Sequence, residues 1–212
     1  MEKVFISSDI EGVADISMWD EADKSHNDYE IFRDIMVEEV NSICNVLERC
    51  CQEIVVRDAH DSARNIIHYK LPDNTKLIRG FNGNPDCMMF GLDKSFDFSI
   101  LHGYHSSAGT NFNPLSHTLS SDKIQEIRIN GDVVGEVTIS MYTSMMYKVP
   151  VCYVVGDKGA VEEAKRLNNN IIGTITKDGL GSCVKSLNPK LVNELIKEDL
   201  EKAINKFNMD KE

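Results

Sequence analysis

The fold is decided by one N-terminal stretch, Phe5-Ile6-Ser7-Ser8-Asp9-Ile10-Glu11-Gly12. Its apolar start predicts a buried strand over residues 4–8, and Gly12 suits a turn just past the end of that strand. In an open α/β sheet, ligands bind in the crevice at this end of the strands. Because burying an unpaired charge is costly, Asp9 and Glu11 indicate a metal ion or another cationic partner there.

Two later apolar runs also end in groups that bind metals. A strand predicted at residues 53–57 leads to His60, and one predicted at residues 98–101 runs into His105. An amphipathic helix over residues 29–51 separates the first two strands, which predicts a right-handed βαβ unit with parallel strands. The ends of the strands, and the side chains that follow them, should then meet at one edge of the sheet.

The remaining segments continue the alternation of strands and helices. Asn130-Gly131 favours a tight hairpin, whose return strand we expect to end at Glu136. Further strands are predicted at 76–79, 149–155 and 171–176. Further helices are predicted after the return strand through Met146, at 159–167 behind an Asp157 cap, and at 189–207. The fold class expected is α/β, a three-layer α/β/α arrangement with a mostly parallel or mixed central sheet and an inserted β-hairpin. Residues 1–207 should form a single metallohydrolase-like domain, with a frayed tail at 208–212.

Composition narrows the choice of partners and compartment. The formal net charge is -11 and the isoelectric point is about 5.0, whereas nucleic-acid binding usually needs a basic surface. No apolar run has the length of a membrane span, and Met1-Glu2-Lys3 does not begin a signal peptide. The six cysteines form no regular framework, so we expect reduced thiols in a cytoplasmic protein.

The chemistry-bearing residues form one predicted constellation. Each signal is weak alone, because a lone histidine or acid after a strand is common, but their repetition at one edge of one sheet favours a site. Oxygen and nitrogen ligands suit zinc, and two divalent ions with one bridging hydroxide would balance three carboxylates. The predicted ligands are Asp9, Glu11, His60, His105 and Glu136. His117, on a loop and outside the ligand set, is left for proton transfer.

Two neighbouring residues have open interpretations. Asp58 either orients the His60 imidazole or caps the end of its strand, and the sequence favours neither. His102 is either a hydrogen-bonding partner of the site or a core histidine, and the core position is the more common one.

The ordered motifs resemble those of the D-aminopeptidase family of DppA type, the M55 metallopeptidases. The resemblance covers nearly the whole chain, and it depends on the order and spacing of five short motifs. These are residues 8–12, 58–60, 103–105, 116–117 and 134–136, supported by residues 36–41, 149–151 and 156–157.

The resemblance implies a cytoplasmic dizinc hydrolase that removes an N-terminal D-residue, typically D-alanine, from short peptides. It implies that Asp9 bridges two zinc ions, that Glu11, His60, His105 and Glu136 complete their ligands, and that His117 is catalytic. The family describes that histidine as a nucleophile, and general acid–base catalysis is the alternative. A ring-shaped homo-oligomer is also implied. Family members continue beyond the position of Glu212, so the family's usual C-terminal segment is expected to be absent.

Two other functions compete with this one. A metal-binding but catalytically impaired module would take up metal without hydrolysing peptides. A hydrolase of phosphate esters would use Asp9 and magnesium, but the sequence has no second Asp two residues further on, where such enzymes usually place their acid.

Overall fold

The strand predicted at residues 4–8 lies near the middle of a six-stranded sheet. A computed structural model describes residues 1–211, with side chains through residue 209. The strands in this part of the chain are β1 (Lys3–Ser8), β2 (Glu53–Asp58), β3 (Thr75–Ile78), β4 (Phe98–Tyr104), β5 (Arg128–Ile129), β6 (Asp132–Val133), β7 (Val151–Gly156), β8 (Ile172–Ile175), β9 (Lys177–Leu180) and β10 (Cys183–Ser186). The helices are α1 (Trp19–Ala22), α2 (Tyr29–Leu47), α3 (Glu136–Met146), α4 (Lys158–Leu167) and α5 (Pro189–Lys211).

The central sheet has the order β3-β2-β1-β4-β7-β8, and every neighbouring pair in it is parallel. The predicted parallel pairing of β1 with β2 is therefore confirmed. The chain moves outward in one direction from β1 to β2 and β3, and then in the other direction from β1 to β4. Such a reversal of strand order opens a crevice at the carboxyl ends of the strands, which is where ligands bind in open α/β sheets.

Both faces of the sheet are covered, which confirms the three-layer α/β/α architecture. Alternate residues of β1 point to opposite faces: Val4 and Ile6 pack in the core with α2 and α5, whereas Phe5 packs in the core with α3 and α4. A sheet buried on both faces has strands that are continuously apolar, as the sequence of β1 is.

The inserted hairpin is present as β5 and β6. Asn130 and Gly131 join them with φ values of 54° and 94°, the left-handed conformations that a type I′ turn requires. The expected end of its return strand at Glu136 is wrong, because that residue is the first of α3 and Gly135 is its N-cap. Glu136 thus lies at a helix N-terminus, where the helix dipole favours negative charge.

Several boundaries differ from the sequence-based ones. Helix α2 ends at Leu47 rather than at residue 51, and α5 continues to Lys211, four residues beyond the predicted end at 207. Of the predicted tail, Glu212 lies outside the described residues. No element was predicted at residues 177–186, where β9 and β10 form a second hairpin. Its sequence contains Gly179 and Gly181 and lacks an alternating apolar pattern. None of the helices in residues 1–211 combines the length and apolarity needed to cross a bilayer.

Candidate metal centre

The six predicted site residues lie together at the carboxyl edge of the sheet. Asp9 and Glu11 follow β1, His60 follows β2 and His105 follows β4, so three adjacent parallel strands bring them to one place. Glu136 enters from the first turn of α3, and His117 from the loop between β4 and β5. The five predicted ligands are buried, and a cavity of about 430 Å³ opens onto Asp9, Glu11, His60, His117 and Glu136.

One group of three side chains consists of Asp9, Glu11 and His60. The Nδ1 atom of His60 lies 3.2 Å from Oδ1 of Asp9 and 3.1 Å from Oε2 of Glu11. The other ring nitrogen, Nε2, lies 2.9 Å from the carbonyl oxygen of Ala22 and donates to it. The lone pair of a neutral His60 therefore faces the two carboxylates.

A second group of three contains Asp9, His105 and Glu136. Nε2 of His105 lies 3.5 Å from Oδ2 of Asp9 and 3.3 Å from Oε2 of Glu136, while Nδ1 donates to the carbonyl oxygen of Ser106 at 2.9 Å. Asp9 belongs to both groups and directs a different oxygen into each. In both groups, and in a third formed by Glu11, His105 and His117, the ligand atoms lie within 4.8 Å of one another.

His117 is the least buried of these residues. Its Nδ1 donates to the carbonyl oxygen of Leu115 at 2.9 Å, which directs Nε2 toward Glu136 Oε1 at 3.6 Å and Glu11 Oε1 at 3.9 Å. All three imidazoles thus have one N–H fixed by a backbone carbonyl and the other nitrogen facing carboxylates. Histidines that bind metals are held in this way, because the fixed N–H sets the tautomer and the ring orientation.

Two atoms show that hydrogen bonds within the protein do not account for the cluster. Oε2 of Glu11 and Nε2 of His105 are buried and have no hydrogen-bond partner in the described part of the chain. Nearly all buried polar groups in proteins have a partner, and a carboxylate oxygen and an imidazole nitrogen that lack one are ligand atoms suited to a divalent cation. The residues present therefore fit zinc.

The electrostatics of the cluster also favour positive charge. Burial and the neighbouring Glu11 raise the pKa of Asp9 to about 7. Burial alone would lower the pKa of His60 and of His105, but Glu11 and Glu136 respectively raise them well above 6.5. For His117, burial and the charge of His105 lower the pKa below the ordinary 6.5. The carboxylates attract cations, and His117 is the imidazole most easily kept neutral.

Close backbone contacts fix the Asp-Ile-Glu-Gly turn. The N–H of Asp9 donates to the His102 carbonyl and that of Gly12 to the Gly103 carbonyl, each at 2.8 Å. A Cβ on Gly12 would lie 1.8 Å from the Tyr104 carbonyl oxygen, and one on Gly103, which has φ 67°, would lie 2.1 Å from that of Asp9. Only glycine allows the ends of β1 and β4 to approach so closely.

Side chains from distant loops hold the carbonyls of the same turn. Asn113 Nδ2 donates to the Glu11 carbonyl at 2.9 Å, and Thr176 Oγ1 donates to that of Gly12 at 2.6 Å. The buried Lys177 ammonium donates to the carbonyls of Val13 and Ile16 at 2.8 and 2.5 Å. The residues that follow the carboxylates are therefore fixed by the loop that carries His117 and by the start of β9.

The two open residues have defined partners. The Asp58 carboxylate accepts from the backbone N–H of Asn65 and Ile66 at 2.6 and 2.8 Å, so it caps the turn after β2 and does not orient His60. His102 is fully buried, with Nε2 2.9 Å from Glu39 Oε2 and Nδ1 2.9 Å from Ser8 Oγ. It is a hydrogen-bonded core histidine beneath the site, and Glu39, which sequence reasoning did not single out, is its partner.

Most of the cavity wall carries no sequence pattern that indicates a site. The indole of Trp19 meets the His117 ring edge-on at 5.2 Å, and it is joined in the wall by Phe81, Met88 and Leu119. Trp19 lies in the polar segment after β1, where a lone tryptophan is the one sequence feature that could have indicated the wall. Phe81, Met88 and Leu119 lie in segments without a periodic pattern.

The parallel sheet and this buried set of acids and imidazoles define an α/β metallohydrolase. The model of the peptidase M55 family, described as D-aminopeptidase, matches residues 2–211, and the chain belongs to that family. Over 198 residues it is 33% identical to the D-aminopeptidase of Bacillus subtilis (strain 168), an alignment that covers 92% of this chain and 71% of that protein.

A solved structure has the same fold. It is described as the Zn-dependent D-aminopeptidase DppA from Bacillus subtilis, a self-compartmentalizing protease. The two structures superpose with a TM-score of 0.91 at 31% identity, over 97% of this chain and 75% of that chain. The family and the fold class expected from the sequence are therefore confirmed, and the individual roles of the site residues stay predictions.

Proposed function

We propose that this chain is a dizinc D-aminopeptidase that releases N-terminal D-residues of the D-alanine class from short peptides. Family membership supports the class of enzyme, and the zinc dependence of the similar DppA structure supports the metal. The observation that carries the proposal is the position of Asp9, whose Oδ1 faces His60 while its Oδ2 faces His105. One carboxylate with an oxygen in each of two ligand groups is suited to bridging two ions.

The two groups support a ligand assignment. Asp9 would bridge, Glu11 and His60 would complete one zinc site, and His105 and Glu136 would complete the other. The two zinc ions would acidify a water molecule, polarise the scissile carbonyl and bind the free amine of the substrate. The backbone carbonyls that fix His60 and His105 keep the coordinating nitrogens directed at the carboxylates.

His117 is the proposed catalytic residue, and we assign it proton transfer. Its lowered pKa keeps the imidazole neutral near pH 7, and the Leu115 carbonyl holds the proton on Nδ1. Nε2 is then free to accept a proton at the site and to return it to the leaving amine. Trp19 packs against the imidazole and limits the access of water to it.

Separate observations support the proposed assembly and location. The similar DppA structure is described as self-compartmentalizing, which supports a homo-oligomer for this chain. All six cysteines are free thiols, which supports a reducing, cytoplasmic environment. Light scattering on the purified protein measures the oligomer directly.

The function is tested with D-Ala-D-Ala and L-Ala-L-Ala as a matched pair. We expect zinc-loaded protein to release D-alanine and to leave the L-peptide intact. Cleavage of the L-peptide alone would refute the stereochemical assignment, and uptake of zinc without cleavage of any peptide in a broad panel would favour a non-catalytic module. An intermediate covalently bound to His117, trapped and located by mass spectrometry, would replace proton transfer with nucleophilic attack.

A further inference from the structure

Arg57 is a buried cation whose hydrogen bonding is incomplete. It lies on β2, and its side chain is fully buried. Nη1 donates to the Gly80 carbonyl at 2.8 Å, whereas Nε and Nη2 have no hydrogen-bond partner among the described residues. Burial also lowers the pKa of Arg57. Buried donors without partners are rare, because they lose their hydration and gain no hydrogen bond in return. The two donors of Arg57 therefore suggest an acceptor that binds to them.

The two unpartnered nitrogens are a matched pair. Nε and Nη2 share one edge of the planar guanidinium, and their N–H bonds point in nearly the same direction. This edge binds the two oxygens of a carboxylate side by side, the strongest mode of recognition available to arginine. Nη1, on the other side, anchors the group to Gly80 and leaves the edge intact.

The guanidinium lies behind a wall of the metal cavity. Its Cζ is 4.4 Å from the ring centroid of Phe81, which lines that cavity and is 43% exposed. Arg57 is in register with Ser7 of β1, whose hydroxyl donates at 2.9 Å to the carbonyl of Met88, another residue of the wall. Phe81 therefore contacts the guanidinium and also lines the cavity.

The backbone around Phe81 allows its ring to move. Gly80 and Gly83 flank it with φ values of 84° and 75°, and no atom lies within 4 Å of a Cβ position on either. Gly80 itself is fixed, because its N–H donates to the Ala63 carbonyl at 2.8 Å and its carbonyl accepts from Arg57. Rotation after Gly80 would turn the ring aside and leave the guanidinium in place.

We propose that Arg57 is a carboxylate subsite of the metal cavity, which binds the C-terminal carboxylate of a short peptide when Phe81 turns aside. This inference rests on the proposed function. The zinc ligands would hold the N-terminal end and Arg57 the other end. The enzyme would then select short peptides with a free C-terminus, and it would discriminate against longer chains and C-terminal amides.

The test compares di- and tripeptides of D-alanine with their C-terminal amides. We expect wild-type enzyme to favour the free acids by roughly tenfold or more in kcat/KM, which corresponds to one charge-assisted interaction. Arg57→Met should raise KM for the acids by a similar factor, leave kcat within about twofold and leave the amides unaffected. Arg57→Lys should restore part of the preference, and Phe81→Ala should lower KM for the acids by uncovering the subsite.

Arg79→Met is the matched control, because Arg79 is exposed and close in sequence. It should leave both classes of peptide unchanged. Equal kcat/KM for acids and amides in the wild type, or a loss of kcat alone in Arg57→Met, would overturn the subsite. If Arg57→Met does not fold, the proposal is tested with Phe81→Ala and Arg57→Lys. A KM for the free acids that is unchanged in both variants would refute it.

Failure of the proposed function is distinguishable from failure of the subsite. If wild-type enzyme cleaves neither acids nor amides, the proposed function is wrong. Calorimetric titration of the zinc-loaded protein with the two D-Ala-D-Ala forms then tests the subsite. Tighter binding of the acid, lost in Arg57→Met, supports it, and equal affinity refutes it.

Discussion

The imidazole of His117 is stacked on that of His105, with ring centroids 4.1 Å apart and ring planes 9° from parallel. Two protonated imidazoles in a stack repel each other, so a positive charge on one disfavours protonation of the other. His105 also faces Asp9 and Glu136, whereas His117 lies at the mouth of the cavity. In this stacked pair, His105 is therefore the charged or metal-coordinated imidazole and His117 is the neutral one.

The first prediction is that His117→Ala lowers turnover severely but preserves metal content. Loss of a proton-transfer group lowers kcat by about 10²–10⁴-fold, whereas the five predicted ligands remain in place. His26→Ala is the control, because that histidine is exposed and outside the cavity. Elemental analysis beside the kinetics checks both parts, and a variant that loses zinc would make His117 a ligand.

The second prediction concerns zinc stoichiometry. Asp9→Asn weakens a residue shared by both ligand groups, so bound zinc should fall from about two ions per chain to nearly none. His60→Ala and Glu136→Gln each affect one group, and each should retain about one ion. Elemental analysis after gel filtration measures the three values. Equal losses in all three variants would contradict the bridging role of Asp9.

The third prediction is the position of the acidic limb of the pH–rate profile. Burial and the charge of His105 lower the pKa of His117, so its neutral form persists below the ordinary value of 6.5. Since the neutral form accepts the proton, kcat/KM should stay constant as the pH falls to 6.5 and should decline only below it. A decline that begins above pH 7, at constant zinc content, would contradict this assignment.

How far the sequence reaches is illustrated by Glu136 and Asp9. Strand ends followed by acid or histidine are visible as patterns, so the edge of the sheet at which the residues converge was predictable. Glu136 was expected in the right place on the wrong element, because Gly135 and Glu136 fit the end of a strand as well as a helix N-terminus. That Asp9 directs its two oxygens into different groups depends on tertiary packing, and no local pattern carries it.

The residues that hold the carbonyls of the turn could not be predicted from the sequence either. Thr176 and Lys177 lie 164 positions from Gly12 and Val13, and the hairpin that begins at Lys177 has no alternating pattern to reveal it. Contacts over such sequence distances are set by the topology of the whole sheet.

The fourth prediction tests the close approach of β1 and β4. Gly12→Ala places a methyl group 1.8 Å from the Tyr104 carbonyl oxygen, and the overlap should cost about 3 kcal/mol of unfolding free energy or more. Gly109→Ala is the control, because Gly109 has φ 78° and no atom within 4 Å of the added carbon. Backbone strain alone should cost that variant about 1–2 kcal/mol. Urea denaturation compares them, and equal costs would refute the steric explanation.

The fifth prediction concerns Lys177, whose pKa is lowered to about 8 by burial. Its pKa in the unfolded chain is about 10.4, so the unfolded state binds the proton more tightly, and stability rises with pH between these values. Relative to Lys177→Met, the wild type should gain about 2 kcal/mol in unfolding free energy from pH 7 to pH 9.5. Lys165→Met is the control for an exposed lysine, and a pH-independent difference for Lys177 would show that its pKa is unshifted.

The anchors of the turn after β1 also have a consequence for biosynthesis. Asp9 and Glu11 are synthesised before the residues that fix the turn. Asn113, which holds the Glu11 carbonyl, follows 102 residues later, and Thr176 and Lys177, which hold the carbonyls of Gly12 and Val13, follow 164 residues later. A nascent chain therefore carries both acids long before it can hold them in their final geometry. The final geometry of the turn therefore forms only after Thr176 and Lys177 have been synthesised and have folded onto it, and we expect metal to be bound tightly only from that point.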